Sequence, residues 1–309
     1  MGGFAVVAMV KEPSYVLRAF VDHYRRSGAD RISLYFDGTE DELSDAMEGV
    51  PMAEQDDVIL CDAAFWDARA DDARLSVEDK QKLCYLDQIK RNQSDWLLIC
   101  DADEFLQAPS SLTAFLARLP PDVPGICIRN TEAVWGPGDD RGAVFGSSYE
   151  RDPLPDYLQK SRLFLRLVYG ANCATFARGT VGHDAGKQVL RRGVLPEAMR
   201  LHNSLIDGKH LHFLTEYLPD AHEVRFVHFD AVGFGRWLWK WKLRLSGVTE
   251  ARNIMPVRLK QMAAIEAALR EKTERELFET YYGLTRWQFA ILKLFGLARR
   301  TRGAGERGS

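Results

Sequence analysis

Two strand-like runs, Phe4 to Val10 and Arg31 to Phe36, flank a segment in which Val16, Leu17, Phe20, Val21 and Tyr24 recur at helical spacing until Gly28 stops it. A strand that is apolar throughout, with no polar alternation, has no face to give to water. It must be covered on both sides, which is the situation of a parallel strand in a βαβ unit. The opening of the chain therefore predicts an α/β fold. Val58 to Cys61 continues the pattern as a third strand and Val77 to Asn92 as a helix carrying Leu83, Leu86 and Ile89. Trp96 to Cys100 is the strongest strand signal in the chain. Ser110 or Ser111 can cap a helix through Leu119, Pro120-Pro121 breaks it, and Gly125 to Asn130 reads as another strand.

Thr131 to Gly182 is richer in Gly, Pro and Asp, with one periodic stretch at Arg162 to Tyr169, and reads as long loops over the functional edge of the sheet. Lys187 to Leu195, His210 to Leu214 and Val224 to Phe229 are expected as late strands of a mixed sheet. Helices then take over. Phe234, Trp237, Leu238, Trp241 and Leu245 form one stripe, Pro256 suits a first helical turn, and Leu277 to Leu297 is a last amphipathic stretch. The expected organisation is a catalytic domain over 1–232, a helical C-terminal extension over 233–302 packed on it, and a disordered tail over 303–309.

Composition narrows the function classes. The 309 residues carry 41 Lys plus Arg against 44 Asp plus Glu, a formal net charge of -3, which excludes a dominantly basic nucleic-acid binder. With 46% hydrophobic and 28% charged residues, the chain is of ordinary globular makeup. Cys61, Cys84, Cys100, Cys127 and Cys173 are scattered and odd in number, without a Cys-x-x-Cys, against a disulfide scaffold or structural zinc site and for a reducing compartment. The first apolar run lacks a preceding basic region and a cleavage site, and no stretch reaches the roughly 18 to 20 apolar residues of a spanning helix. A cytoplasmic protein is expected, soluble or peripheral at the inner face of the membrane. Peripheral contact would use Trp287 to Arg302, where Phe289, Ile291, Leu292, Phe295 and Leu297 alternate with Lys293, Arg299, Arg300 and Arg302. The Trp and Lys residues of Arg236 to Arg244 read instead as a packed amphipathic helix that leaves only Trp239 off its stripe.

Asp101 and Asp103 form the sole Asp-x-Asp of the chain, directly after its most apolar strand, where open α/β sheets place ligands. Two carboxylates at this spacing can converge on a hard cation, Mn²⁺ or Mg²⁺, and bridge it to a diphosphate; acids after a strand can also simply solvate a loop. Lys11-Glu12 ends the first strand and Asp37-Gly38 the second, so a parallel sheet gathers all these residues at one edge.

These residues carry a resemblance. Val7-Ala8-Met9-Val10-Lys11-Glu12, the helix to Gly28, Ile32 to Asp41, Gln81, and Trp96 to Leu106 with its Asp101-Ala102-Asp103-Glu104-Phe105-Leu106 look like the family-2-like glycosyltransferases of GT-A fold. Gly182-His183, Gly186-Lys187, His202 and His228-Phe229 resemble later motifs of that group. Glu12-Pro13 stands where the group more often has Asn-Glu, and Trp135 to Asp156 matches none of its motifs. The resemblance implies a GT-A mixed, mainly parallel sheet with flanking helices. It also implies a nucleotide-sugar donor with Glu12 and Asp37 near base and ribose and Lys11 among the nucleotide-binding residues, a divalent cation held by Asp101 and Asp103 on the diphosphate, and a late histidine, His228, completing the metal shell. His228 also reads as a buried structural histidine, and His210 and His212 as neighbours on one face of a strand. Lys187 could reach a phosphate or the leaving diphosphate. An inverting transfer needs a carboxylate base, for which Asp184 is preferred over Glu132 and Asp207. The acceptor class is a glycan or lipid-linked hydroxyl. The rivals are a haloacid-dehalogenase-type phosphatase and a non-catalytic nucleotide- or glycan-binding relative.

Overall fold

The computed structural model describes residues 3–69, 75–246 and 255–301; the tail expected over 303–309 lies outside the described residues. In chain order it begins with β1 (Phe4–Val10), α1 (Ser14–Arg26), β2 (Ala29–Phe36), α2 (Glu40–Met47), β3 (Asp57–Leu60), α3 (Ala63–Asp67), α4 (Val77–Arg91), β4 (Trp96–Ile99) and β5 (Glu104–Gln107). It continues with α5 (Leu112–Leu116), β6 (Gly125–Ile128), β7 (Asn130–Val134), β8 (Tyr149–Arg151), α6 (Asp156–Gln159), α7 (Arg162–Tyr169), β9 (Lys187–Arg191), β10 (Leu205–Ile206) and β11 (Lys209–His210). It closes with α8 (Leu214–Tyr217), β12 (Arg225–His228), α9 (Phe234–Leu245), α10 (Pro256–Glu271), α11 (Glu274–Tyr282), α12 (Arg286–Leu294) and β13 (Ala298–Arg300).

By its contacts the chain divides into two units, 1–129 with 185–226, and 130–184 with 227–309. These lines differ from the expected 1–232 and 233–302, because residues 130–184 group with the C-terminal helices. The first unit is the mixed, mainly parallel α/β fold that the opening of the sequence predicts. Its sheet has the order β3-β2-β1-β4-β9-β6. β3, β2, β1 and β4 are parallel, and β9 is antiparallel to both β4 and β6. β1 is central and almost wholly buried, as its unbroken apolar run requires. One apolar cluster joins Val7, Tyr35, Trp66, Tyr85, Leu97 and Leu190, so α3 and α4 close a face of the sheet.

The register explains where a crevice can open. β4 pairs with β1 only from Phe4↔Trp96 to Val7↔Ile99, whereas β2 stays paired to Val10↔Phe36. The chain after β4 therefore leaves the sheet three residues before β1 ends. The strand order also reverses between β1 and β4, the topological switch point at which open α/β sheets bind ligands.

The second unit has its own sheet edge, with β13 antiparallel to β8 and β8 antiparallel to β7. Its core packs Trp135, Phe164, Trp237, Trp241, Phe278 and Tyr282 among other apolar side chains. Trp237 and Trp241 are buried while Trp239 is exposed, as the stripe predicts.

Several elements differ from expectation. Between the loops expected over Thr131 to Gly182, and besides the expected stretch Arg162 to Tyr169, which is α7, lie the short elements β7, β8 and α6. The single stretch Leu277 to Leu297 is broken into α11, α12 and the following chain, and at the break the backbone pairs with Trp135 instead of continuing a helix, Trp135 N–H donating to Tyr282 O and Leu284 N–H to Trp135 O. The helix expected to reach Leu119 ends at Leu116, and Ser111 makes no side-chain cap. His210 to Leu214 is no strand. β11 is two residues long, and His212 bonds Glu216 at the start of α8, so His210 and His212 do not share a strand face.

Gly186, which leads into β9, is required by close approach: a Cβ there would lie 2.2 Å from the Ile128 carbonyl oxygen. Gly186→Ala should lower stability by about 1–3 kcal/mol through overpacking against backbone, read as a lower urea midpoint; an unchanged midpoint would show that the two strands part freely.

Candidate functional site

In the first unit, the parallel strands deliver Lys11-Glu12, Asp37 and Asp101 to one edge. Asp37 follows β2, its N–H bonded to Val10 O. Its carboxylate accepts from Lys80 Nζ at 2.9 and 3.0 Å and from Trp66 Nε1 at 2.8 Å, which ties it to α4 and α3. Lys11 is exposed and pairs with Glu42 at 3.1 Å. Glu12 sits half-buried beside it.

Asp101 to Glu104 forms a tight turn. Glu104 N–H donates to Asp101 O at 3.1 Å, and the Glu104 carboxylate folds back to accept Asp101 N–H at 3.0 Å. The turn leaves Asp101 and Asp103 partly accessible while Ala102 and Glu104 are buried. Asp101 is fixed at both oxygens. Oδ1 accepts from Gln81 Nε2 at 2.9 Å and from Tyr85 Oη at 3.5 Å; Oδ2 accepts from Lys187 Nζ at 2.6 Å. Burial pushes the Tyr85 phenol well up, and the Asp101 charge adds to that, so it stays a neutral donor.

Lys187 is only 2% exposed. Its ammonium lies 2.6 Å from Asp101 and 3.0 Å from Glu104, whose carboxylate is fully buried. Burial alone would lower its pKa, but the charges of Asp101 and Glu104 outweigh that and raise it. The residue expected at a phosphate is thus placed beneath Asp101, and reaching a phosphate would mean leaving these two partners. Burial also pushes up the thiols of Cys100 and, to about 12, Cys127, so neither is poised as a nucleophile.

The second unit holds the late motifs. His183 and His228 stack with ring centroids 4.9 Å apart and planes 27° from parallel. Gly182 makes this possible: a Cβ there would lie 3.1 Å from His228 Nδ1 and 3.3 Å from Glu132 Oε1. Glu132, a candidate base, is fully engaged. Oε1 accepts from Val181 and Gly182 N–H at 2.9 and 2.6 Å, and Oε2 from Arg151. It therefore clamps the loop that carries His183. Gln261 fixes the same loop by donating to Val181 O at 2.9 Å. Asp184 is partly exposed and pairs with Arg178 at 3.0 Å. Asp230, two residues after His228, is partly buried and accepts from Tyr282 Oη. Burial alone would raise its pKa, but Arg258, His228 and Arg244 outweigh that and hold it below the usual carboxylate range.

Of the remaining expected residues, Asp207 is exposed with a φ of 50° in the β10–β11 turn, and His202 offers its carbonyl to Cys127 Sγ. Sequence reasoning gave no role to Glu104, Lys80, Gln81 or Tyr85. Gln81 and Tyr85 are four apart and so share one helical face. Polar groups on an otherwise core-facing stripe of α4 were the available signal.

No family model matches the chain, and no curated protein matches it. Similar solved structures include glucosyl-3-phosphoglycerate synthase from Mycobacterium tuberculosis in complex with Mn²⁺, UDP and phosphoglyceric acid, at 12% identity and TM-score 0.32 over 65% of this chain and 60% of that one. HddC from Yersinia pseudotuberculosis complexed with GMP-PN is similar at 11% identity and TM-score 0.34, over 78% of this chain and 97% of that one. The chain thus spans less than two thirds of the length of the synthase. Likeness at this level assigns no chemistry, which rests on this chain's own residues.

Two measurements follow from the ion pairs. Lys187→Met leaves two carboxylates without their cation and should cost roughly 3–5 kcal/mol in denaturant unfolding at pH 7; a loss below about 1 kcal/mol, the level of a surface pair, would rule out the buried clamp. Asp230 has a folded pKa below its unfolded value of about 3.9. Its contribution is full above that value and lost as pH falls through the folded one. Stability of the parent should therefore fall more steeply below about pH 4 than that of Asp230→Asn, and parallel acid profiles would exclude the pair.

Proposed function

We propose that this chain is a metal-dependent glycosyltransferase of GT-A type, moving a sugar from a nucleotide-sugar donor to a glycan or lipid-linked hydroxyl in surface polysaccharide or glycoconjugate synthesis. The observation that carries the reading is the position of Asp101 and Asp103. They lie where the chain leaves the sheet early, at the switch point between β1 and β4, on the same edge as Asp37 and Glu12.

The donor set fits a divalent cation. Two carboxylates two residues apart on a tight turn offer hard oxygen ligands of the kind Mn²⁺ and Mg²⁺ take, and Asp101 is held in orientation by Gln81, Tyr85 and Lys187. Asp101 and Asp103 are the proposed ligands. The cation would supply charge neutralisation on the diphosphate as it leaves.

The chain's own groups do the rest in this reading. Glu12 and Asp37 orient base and ribose, with Asp37 held in place by Lys80. In the inverting displacement, the acceptor oxygen bonds to the anomeric carbon as the bond to the diphosphate breaks. The hydroxyl proton passes to Asp184, whose carboxylate is steered by Arg178.

The test is thermal stabilisation by a panel of nucleoside diphosphates with and without Mn²⁺. A ligand at 100 times its Kd stabilises by about 2.7 kcal/mol, so one nucleotide should give a clear manganese-dependent rise in Tm that Asp103→Asn abolishes. Asp184→Asn should keep that rise and lose about 10²–10⁴-fold in transfer rate. No rise with any diphosphate, together with hydrolysis of a phosphomonoester, would replace this reading with the phosphatase; a rise without turnover would replace it with the binding relative.

A further inference from the structure

We propose that the adjoining faces of α7 and α12 in the second unit dock on an anionic lipid surface. The two helices lie side by side in opposite senses. Phe164, early in α7, meets Phe295, just past α12, with ring centroids 5.3 Å apart, and Gln288 in the first turn of α12 donates to Val168 O in the last turn of α7. Each helix gives its other apolar side to the core through Phe164 and Val168, and through Leu292.

What remains outside is unusually apolar for a water-facing surface. Leu163 is 80% exposed, Leu294 83% and Trp287 62%, with Leu167 and Phe295 also exposed. Phe295 also meets Phe164, but Leu163, Leu167, Trp287 and Leu294 are not among the buried side chains that pack the two helices. Leu167 and Trp287 line a shared groove of about 730 Å³. A contiguous apolar patch over two helices marks a contact surface rather than scattered exposure.

Charge selects the occupant. Arg162, Arg166, Arg286 and Lys293 are exposed around the patch, and none forms an ion pair among the described residues. Glu279, which shares the groove, is held by Arg141 at 2.9 Å, and Asp156 of the neighbouring α6 faces Arg178 at 3.7 Å. Apolar side chains that can enter the headgroup region, ringed by uncompensated cations, match an anionic bilayer surface. No described helix is long and apolar enough to cross a membrane, so the contact is peripheral.

The surface differs from the C-terminal stretch expected from sequence. Leu292 and Leu297 are buried, and Arg299 is bound by Asp152 and lies 3.9 Å from Glu150. α7 supplies the half of the patch that the C-terminal stretch lacks.

The experiment is co-sedimentation of the full chain with vesicles of phosphatidylcholine alone and of phosphatidylcholine with 30 mol% phosphatidylglycerol, a composition of about one anionic lipid in three. Binding is expected only to the anionic vesicles, and weakened at about 0.5 M salt, where screening is short-ranged. Arg166→Ala with Arg286→Ala should weaken it about 5-fold per cation, and Leu163→Ser with Leu294→Ser should abolish it; all four positions are exposed, so the Tm should be unchanged. Failure to bind, or equal binding to neutral vesicles, would overturn the proposal. Self-association in sedimentation velocity that the same leucine variants abolish would overturn it too, by assigning the patch to a second copy of the chain.

Discussion

One ammonium group between two carboxylates organises the edge of the first unit. Asp101 and Glu104 are three residues apart on a tight turn, and placing both acids there without a counter-charge would set like charges against each other in a poorly hydrated space. Lys187 resolves this, and only because Gly186 lets β9 approach the end of β6 closely enough to aim the side chain under the turn. A buried ion pair is weak as a source of net stability, since desolvation offsets most of the attraction. Its value here is positional: it fixes which way Asp101 faces. A partly accessible carboxylate of the ligand edge is thus also a firmly anchored one.

The two units use glutamates in contrasting ways. Glu104 neutralises a lysine beneath a ligand edge, whereas Glu132 gathers two backbone N–H groups and an arginine to hold a loop against His228. Both are buried acids on strands, Glu104 opening β5 and Glu132 within β7, and their sequence neighbourhoods do not tell them apart. Partners from distant segments do: Arg151 for one, Lys187 for the other.

That contrast also explains what the sequence made legible. β1, α1, β2, β3, α4 and β4 were visible because each couples an apolar period to a clear stop, and the parallel order followed from runs with no polar face. The acidic edge was visible for the same reason, since strand ends locate it. α2 was not read, although Thr39 and Glu42 form a capping box that announces it. β7, β8 and α6 were hidden by Gly, Pro and Asp residues whose turns punctuate short elements closed by long-range pairing, as in the bond from Trp135 to Tyr282 O. The roles of Gln81, Tyr85 and Glu104 were hidden because a hydrogen bond across 16 to 20 residues or more leaves no periodic trace.

α4 touches both acids of the sheet edge. Lys80 and Gln81 are consecutive, so they point about 100° apart, one to Asp37 after β2 and the other to Asp101 after β4. Tyr35, the penultimate residue of β2, bonds Asp87 further along the same helix. A rigid rod with such fixings works as a gauge. The spacing between the two carboxylates is set by the pitch of a single helix and not by the lengths of the connections on either side of it, so those connections are free to change in sequence while the distance between the acids is kept.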